Sequence, residues 1–173
     1  MRQLGPTDLK RLYRDWNRRT DGRIALLLDG VQSPFNVGAI TRTAAAFRVD
    51  HLYLAGATIP PSHPKAGRTA MGTERYLSWS TFERSPDAAD AAREDGFTVV
   101  GLELVDSAVP LHQLTIGRDV CLAVGHEDHG LSPATLGACD VVAFIPLLGR
   151  VGSLNVATAC AIGIYELRRQ AWA

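Results

Sequence analysis

Short apolar runs rich in leucine and β-branched residues recur along the chain, each separated from the next by a stretch long enough for a helix or a loop. The runs are IALLLD (24–29), HLYLA (51–55), FTVVGLEL (97–104), DVCLAVG (119–125) and VVAFIPL (141–147). Between them lie helical patterns at about Asn36–Phe47 and near Ser85–Glu94, another from Ser132, and a long final one from about Leu154. Strands that are apolar at nearly every position must be covered on both faces, and such strands alternating with helices form parallel sheets. The chain is therefore expected to be α/β, with an open, mostly parallel sheet and helices on both faces. Ligands of such sheets sit beyond the carboxyl ends of the strands. Gly56–Gly72, with three prolines, reads as one long irregular connection of the kind that carries function.

At 173 residues the chain fits one domain, expected over 24–173 and preceded by a short basic N-terminal helical extension over 1–23. In that extension Leu9, Leu12, Tyr13 and Trp16 follow helical spacing among Lys10, Arg11, Arg14, Arg18 and Arg19, with Thr7 as a plausible N-cap. It reads as a helix that packs its apolar stripe on the domain, as one that offers its charges to a polyanion, or as both.

Charge and motifs narrow the chemistry. The formal net charge of zero divides into a basic half and an acidic half: residues 1–75 hold 12 Lys and Arg against 6 Asp and Glu, and residues 76–173 hold the reverse. Arginine supplies 16 of the 18 positive charges, which fits forked phosphate donors and fits genome base composition equally. No apolar run reaches the roughly 18 residues of a membrane span and no secretory core follows Arg2, so the cytoplasm is the expected location. Cys121, Cys139 and Cys160 show no CxxC spacing and read as core residues. No GxGxxG follows a strand, and neither GxxxxGK[ST] nor GxSxG occurs, which disfavours dinucleotide, ATP and α/β-hydrolase chemistry. His126 and His129 are three apart rather than in HExxH spacing, so no metal is expected.

Three strand-end segments remain: LLLDGVQSPFNVGAITRTA (26–44), LAVGHEDHGLS (122–132) and FIPLLGRVGSLNVATACAIGIYE (144–166). Together, in this order, they resemble the three signature motifs of the SpoU, or TrmH, family of RNA ribose 2′-O-methyltransferases in the SPOUT superfamily. Asn36, Gly38 and Arg42 match the first motif. Gly125, Glu127, Gly130 and Leu131 match the second, and Ser153, Leu154, Asn155 and Val156 the third. The resemblance implies an α/β trefoil knot in the C-terminal half, S-adenosyl-L-methionine as cofactor, RNA as substrate and a homodimer. The final helix, apolar around much of its circumference, fits a second burial partner.

By the same resemblance the catalytic residues are Arg42, Asn36, Glu127, Ser153 and Asn155. The cofactor-binding residues are Leu102, Gly125, Ile145, Leu147, Ser153 and Leu154, the apolar ones of which also read as core. Arg42 is expected on the first turns of its helix. Its guanidinium stays protonated, so it is assigned to gripping phosphate and stabilising a forming alkoxide rather than to taking a proton. Asn36 is expected to orient Arg42 or to cap the helix, and Glu127 to pair with Arg42 or with the substrate ribose. Ser153 and Asn155 are expected to open the final helix as caps. RNA phosphate contacts are expected at Arg42, Arg68, Arg75, Arg11 and Arg18. The short segment before the first strand leans the substrate towards tRNA over rRNA. Two alternatives stand beside the enzyme: a non-catalytic RNA-binding or chaperone module on the same scaffold, and a knot methyltransferase that modifies a base.

Overall fold

The computed structural model describes residues 1–172, so the last residue of the expected 24–173 domain lies outside the described residues. Seven strands form one sheet, parallel at every pairing: β1 (Ile24–Asp29), β2 (His51–Ala55), β3 (Trp79–Phe82), β4 (Thr98–Leu102), β5 (Val109–Pro110), β6 (Val120–Val124) and β7 (Val141–Phe144). Their spatial order is β3-β2-β1-β6-β4-β7-β5. The helices are α1 (Pro6–Arg19), α2 (Pro34–Ala46), α3 (Pro64–Ala70), α4 (Ser85–Glu94), α5 (Pro133–Ala138) and α6 (Val156–Trp172).

The two-residue period of the strands sorts the core into two layers. Leu26, Leu28, Leu52, Leu54, Val100 and Leu122 pack with α2, α3 and α6. The alternate residues Ala25, Leu27, Tyr53, Val99, Cys121 and Ala123 pack with α4 and the segment around α5. Alanines Ala88, Ala89 and Ala92 of α4 meet the small residues of that face, whereas the opposite face takes Ile40 and Ile164 against leucines. Both layers are dry, as an all-parallel sheet requires.

Polar pins tie the helices to the sheet. Asp29, 8% exposed at the end of β1, accepts from the Ser85 and Thr135 hydroxyls, each at 2.5 Å, and from the Ser132 amide at 2.9 Å. Burial alone would raise its pKa, but these donors outweigh it and hold the carboxyl below its ordinary value. Arg168 of α6, 2% exposed, donates to the carbonyls of Phe47, Gly22 and Arg48 at 3.1, 3.0 and 2.7 Å. One fork thereby joins the last helix to the end of α2 and the entry to β1.

Several expectations are corrected. Gly56–Gly72 is not wholly irregular: it contains α3, whose Pro64 occupies the first turn while His63 Nδ1 accepts from the Lys65 amide at 3.3 Å. Proline read as a breaker is here a helix starter, since N1 has no intrahelical use for an N–H. Edge strands β3 and β5 were not anticipated. The first helix is preceded by Gly5 rather than capped by Thr7, and α6 begins at Val156, two residues later than expected. The strand expected over 97–104 ends at Leu102.

Helix α1 buries none of its side chains. It touches the domain through Trp16, whose ring centroid is 5.2 Å from that of Trp172, and through Arg48 to Asn17 and to the Thr20 carbonyl. No helix among the described residues is long and apolar enough to cross a membrane.

Removing the Arg168 fork leaves three inward carbonyls without their donors. Arg168→Ala is expected to cost about 3 kcal/mol, the scale of hydrogen bonds to a charged group. Arg168→Lys should recover part of that, and urea midpoints of the two variants check it.

Candidate functional site

From β1 the chain winds outward to β2 and β3, then crosses so that β4 lies on the far side of β6. The carboxyl ends of β4, β6 and β7 open a crevice beside this switch, where ligands of open α/β sheets bind. A cavity of about 640 Å³ occupies it, walled by the residues that follow those three strands and by the approach to α6.

Three loops meet at one hydrogen-bonded chain. The Glu127 carboxylate accepts from the Ser33 amide at 2.9 Å, the Gln32 amide at 3.3 Å and the Asn36 side-chain amide at 2.9 Å. Asn36 Oδ1 in turn accepts from Asn155 Nδ2 at 3.0 Å. Asn155 Oδ1 accepts from the amides of Ala157 and Thr158, at 3.0 and 3.3 Å, and so caps α6. The loops after β1, β6 and β7 are thus held together through side chains 91 and 119 residues apart in sequence. Burial pushes Glu127 up, but the Asn36 amide and the backbone donors outweigh it, and its pKa lies below the ordinary 4.5.

The loop after β6 depends on close backbone approach. A Cβ on Gly125 would lie 2.0 Å from the carbonyl carbon of Gly130, so only glycine permits the two-way pairing of His126 and Gly130, at 2.9 Å in each direction. Gly130 has φ +67°, and a side chain there would strike Glu103 Oε2. That same oxygen accepts from the Leu131 amide at 2.9 Å and closes the loop against the end of β4. The His126 and His129 rings stack at 5.0 Å at the cavity wall.

All six sequence-expected cofactor residues, Leu102, Gly125, Ile145, Leu147, Ser153 and Leu154, line the cavity. Leucine and isoleucine side chains give it an apolar slot. Strand ends and loops supply backbone donors and acceptors, while Glu103, Glu127 and Asp128 supply negative charge. That donor set fits S-adenosylmethionine, a flat adenine attached to a cationic sulfonium.

The catalytic expectations are rearranged. Arg42 is on the third turn of α2, exposed, with Nη1 at 2.6 Å from Met71 Sδ. Neither Glu127 nor Asn36 engages it, because residues six apart on an α-helix lie about 120° apart around the axis. Asn36 therefore faces inward while Arg42 faces out. Helix α2 is capped by Ser33, whose hydroxyl accepts from the Asn36 amide at 3.4 Å, so the Asn36 side chain is left for the loop junction. Ser153 does not cap α6; it stands exposed at the cavity wall. Arg68 and Arg75 flank the Met71 turn, and Arg11 and Arg18 are exposed on α1. Glu103 was not anticipated; its one signal is a carboxylate interrupting the apolar run 97–104.

Fold and site define an all-parallel α/β ligand-binding domain whose site is assembled from strand-end loops locked by an asparagine–glutamate chain. A family model described as the SpoU rRNA Methylase family matches residues 23–165, and the chain belongs to that family. Two relatives and one solved structure are similar over most of it. The 23S rRNA (guanosine-2′-O-)-methyltransferase RlmB of Coxiella burnetii is 31% identical over 88% of this chain and 61% of its own. The tRNA (guanosine(18)-2′-O)-methyltransferase of Escherichia coli is 30% identical over 96% of this chain and 72% of its own. The AdoMet-bound rRNA methyltransferase of Sinorhizobium meliloti superposes with a TM-score of 0.80 at 30% identity, over 88% of this chain and 58% of its own. The chain thus spans less than two thirds of the length of the Coxiella protein.

A carboxyl with a lowered pKa stabilises the folded state above its ordinary pKa and loses that contribution as pH falls through the folded value. Stability is therefore expected to decline on acidification below about pH 4.5, with Glu127→Gln flattening part of that decline. Asn36→Asp, which sets a second carboxylate against Glu127, should destabilise near neutral pH and recover on acidification. Thermal melts from pH 3 to 7 check both.

Proposed function

We propose that the chain is an S-adenosylmethionine-dependent methyltransferase acting on a ribose 2′-hydroxyl of structured RNA. The observation that carries this reading is the Glu127–Asn36–Asn155 chain, which gathers all three motif loops at the cavity mouth. Bound S-adenosylmethionine supplies an electrophilic methyl group. The residues of the chain do the rest. Leu102, Ile145, Leu147 and Leu154 keep water from the slot, and the glycine-closed loop after β6 shapes its wall. Glu127, held ionised by its donors, fixes the loops rather than accepting a proton. Arg42, exposed and permanently charged, grips an RNA phosphate and stabilises negative charge growing on the 2′-oxygen. Ser153, at the wall, is a candidate donor to that oxygen or to the cofactor.

For the RNA species we favour tRNA, a reading supported by the 30% identity to the tRNA-named relative over 96% of this chain. Residues 1–23 are proposed as a basic extension of the 24–173 domain, with Arg11 and Arg18 exposed for phosphate. The reaction is assigned to the cytoplasm, and the C-terminal half to the trefoil threading of the family. Ile162 and Tyr165 of α6, 39% and 52% exposed, support a homodimer through that helix. Light scattering is expected to give the dimer mass.

The deciding measurement is transfer of labelled methyl from S-adenosylmethionine to separate pools of unmodified tRNA and rRNA, followed by alkaline hydrolysis. Label in an alkali-resistant dinucleotide from tRNA is the expected result. Label in alkali-labile nucleotides would favour base modification, and RNA bound without transfer would favour a binding module. Arg42→Ala should reduce kcat by about 100- to 1000-fold, the scale of a lost oxyanion donor, with folding unchanged.

A further inference from the structure

The turn that follows α3 exposes apolar side chains that the domain does not use. Met71 and Tyr76 are 68% and 66% exposed, five residues apart on one turn. Met71 is held at φ +55° and Gly72 at φ +77°, two successive left-handed residues, and the first of these is strained for a side chain of its size. The strained turn sets Met71 against the Arg42 guanidinium and leads into a 3₁₀ turn, Thr73–Tyr76. There Arg75 lies over the Tyr76 ring, 4.8 Å from its centroid, and donates to the phenol oxygen at 2.8 Å.

Charge says what this surface meets. Arg42, Lys65, Arg68 and Arg75 surround it, and among the described residues none of the four is in an ion pair. The one carboxylate of the turn, Glu74, makes no ion pair with them among the described residues, and four cations against one carboxylate leave the surface net positive. A net cationic patch set against its own copy across a two-fold axis repels, whereas a polyanion with flat apolar bases satisfies both halves of the surface. Single-stranded nucleic acid is bound in this way, by aromatic rings and guanidinium planes that stack bases beside cations that take phosphates.

We propose that Tyr76, backed by Arg75 and flanked by Met71, is a stacking platform for an unpaired RNA base next to the nucleotide held at Arg42. The substrate is then a loop or otherwise splayed segment of RNA, because a base inside a duplex cannot reach the ring. This rests on the RNA methyltransferase reading, and the test separates the two.

A stem–loop RNA carrying 2-aminopurine in its loop, and its fully paired duplex counterpart, are titrated with the full chain. Wild type is expected to quench the loop probe and to bind the duplex more weakly. Tyr76→Ala should lose the quench and about 5- to 150-fold in loop affinity, the range for one base stacked on an aromatic ring, while Tyr76→Phe keeps both. Equal loop affinity and quench in wild type and Tyr76→Ala would overturn the proposal. So would weakened self-association of Tyr76→Ala in sedimentation, which would assign the surface to a second copy. Tyr76-dependent quenching without methyl transfer to any RNA would overturn the enzyme reading and leave the platform standing.

Discussion

The carboxylate of Glu127 carries more of this architecture than any other single group. It sits at the end of a buried strand and takes donors from the loop after another strand, two from backbone and one from Asn36. Such a group is stable only when ionised and fully served, since a half-satisfied carboxylate at a partly buried position is costly. Asn36 extends the junction because an amide both donates and accepts. It gives its N–H to Glu127 and its oxygen to Asn155, whose own oxygen starts α6. An ionised carboxylate at position 36 would have no donor for Glu127, and an ammonium there would have no acceptor for Asn155.

Around this junction the two faces of α2 have different duties. The inward face supplies Asn36 together with the apolar residues Val37 and Ile40 to the sheet. The outward face presents Arg42 to the turn after α3. Gly38 makes this possible, for a side chain there would meet the Ala66 carbonyl oxygen at 2.4 Å and push α3 away. Helix α2 is thus packed on the core, capped by Ser33 and pressed against α3, which fixes the direction in which Arg42 projects. The surface beyond it carries Arg42, Lys65, Arg68 and Arg75 beside the exposed Met71 and Tyr76, while the cavity wall mixes leucine, isoleucine and valine with Glu103, Glu127 and Asp128.

The basic first half of the sequence reaches this arrangement in two separate places. Arg42, Lys65, Arg68 and Arg75 lie on α2, on α3 and on the turn that follows α3, whereas the cations of α1 project from a helix with no buried side chain. Linear charge counting registered one basic half. The fold divides it between the α2–α3 surface and the α1 arm, which Arg48 anchors through Asn17 and the Thr20 carbonyl.

Strand and helix periodicity are local properties, so the parallel sheet, five of its seven strands and most of the helices were legible from apolar spacing alone. Leu102, Gly125, Ile145, Leu147, Ser153 and Leu154 were expected from the family resemblance and line the cavity, whereas Glu103 was not expected. What spacing cannot express is direction around a helix relative to a distant loop. Placing Asn36 with Arg42 was reasonable along the sequence and wrong in space, since the partners of Asn36 lie 91 and 119 residues away. The short edge strands β3 and β5 carry little hydrophobic signal, and α3 begins at a proline that reads as a break. The sequence by itself determined five of the seven strands and the two buried faces of the sheet, because burial demands apolar periodicity, and its three strand-end motifs carried the family resemblance. Only the tertiary structure decided which polar side chains meet, because a hydrogen bond depends on angles and distances of a few ångströms that the folded sheet alone sets.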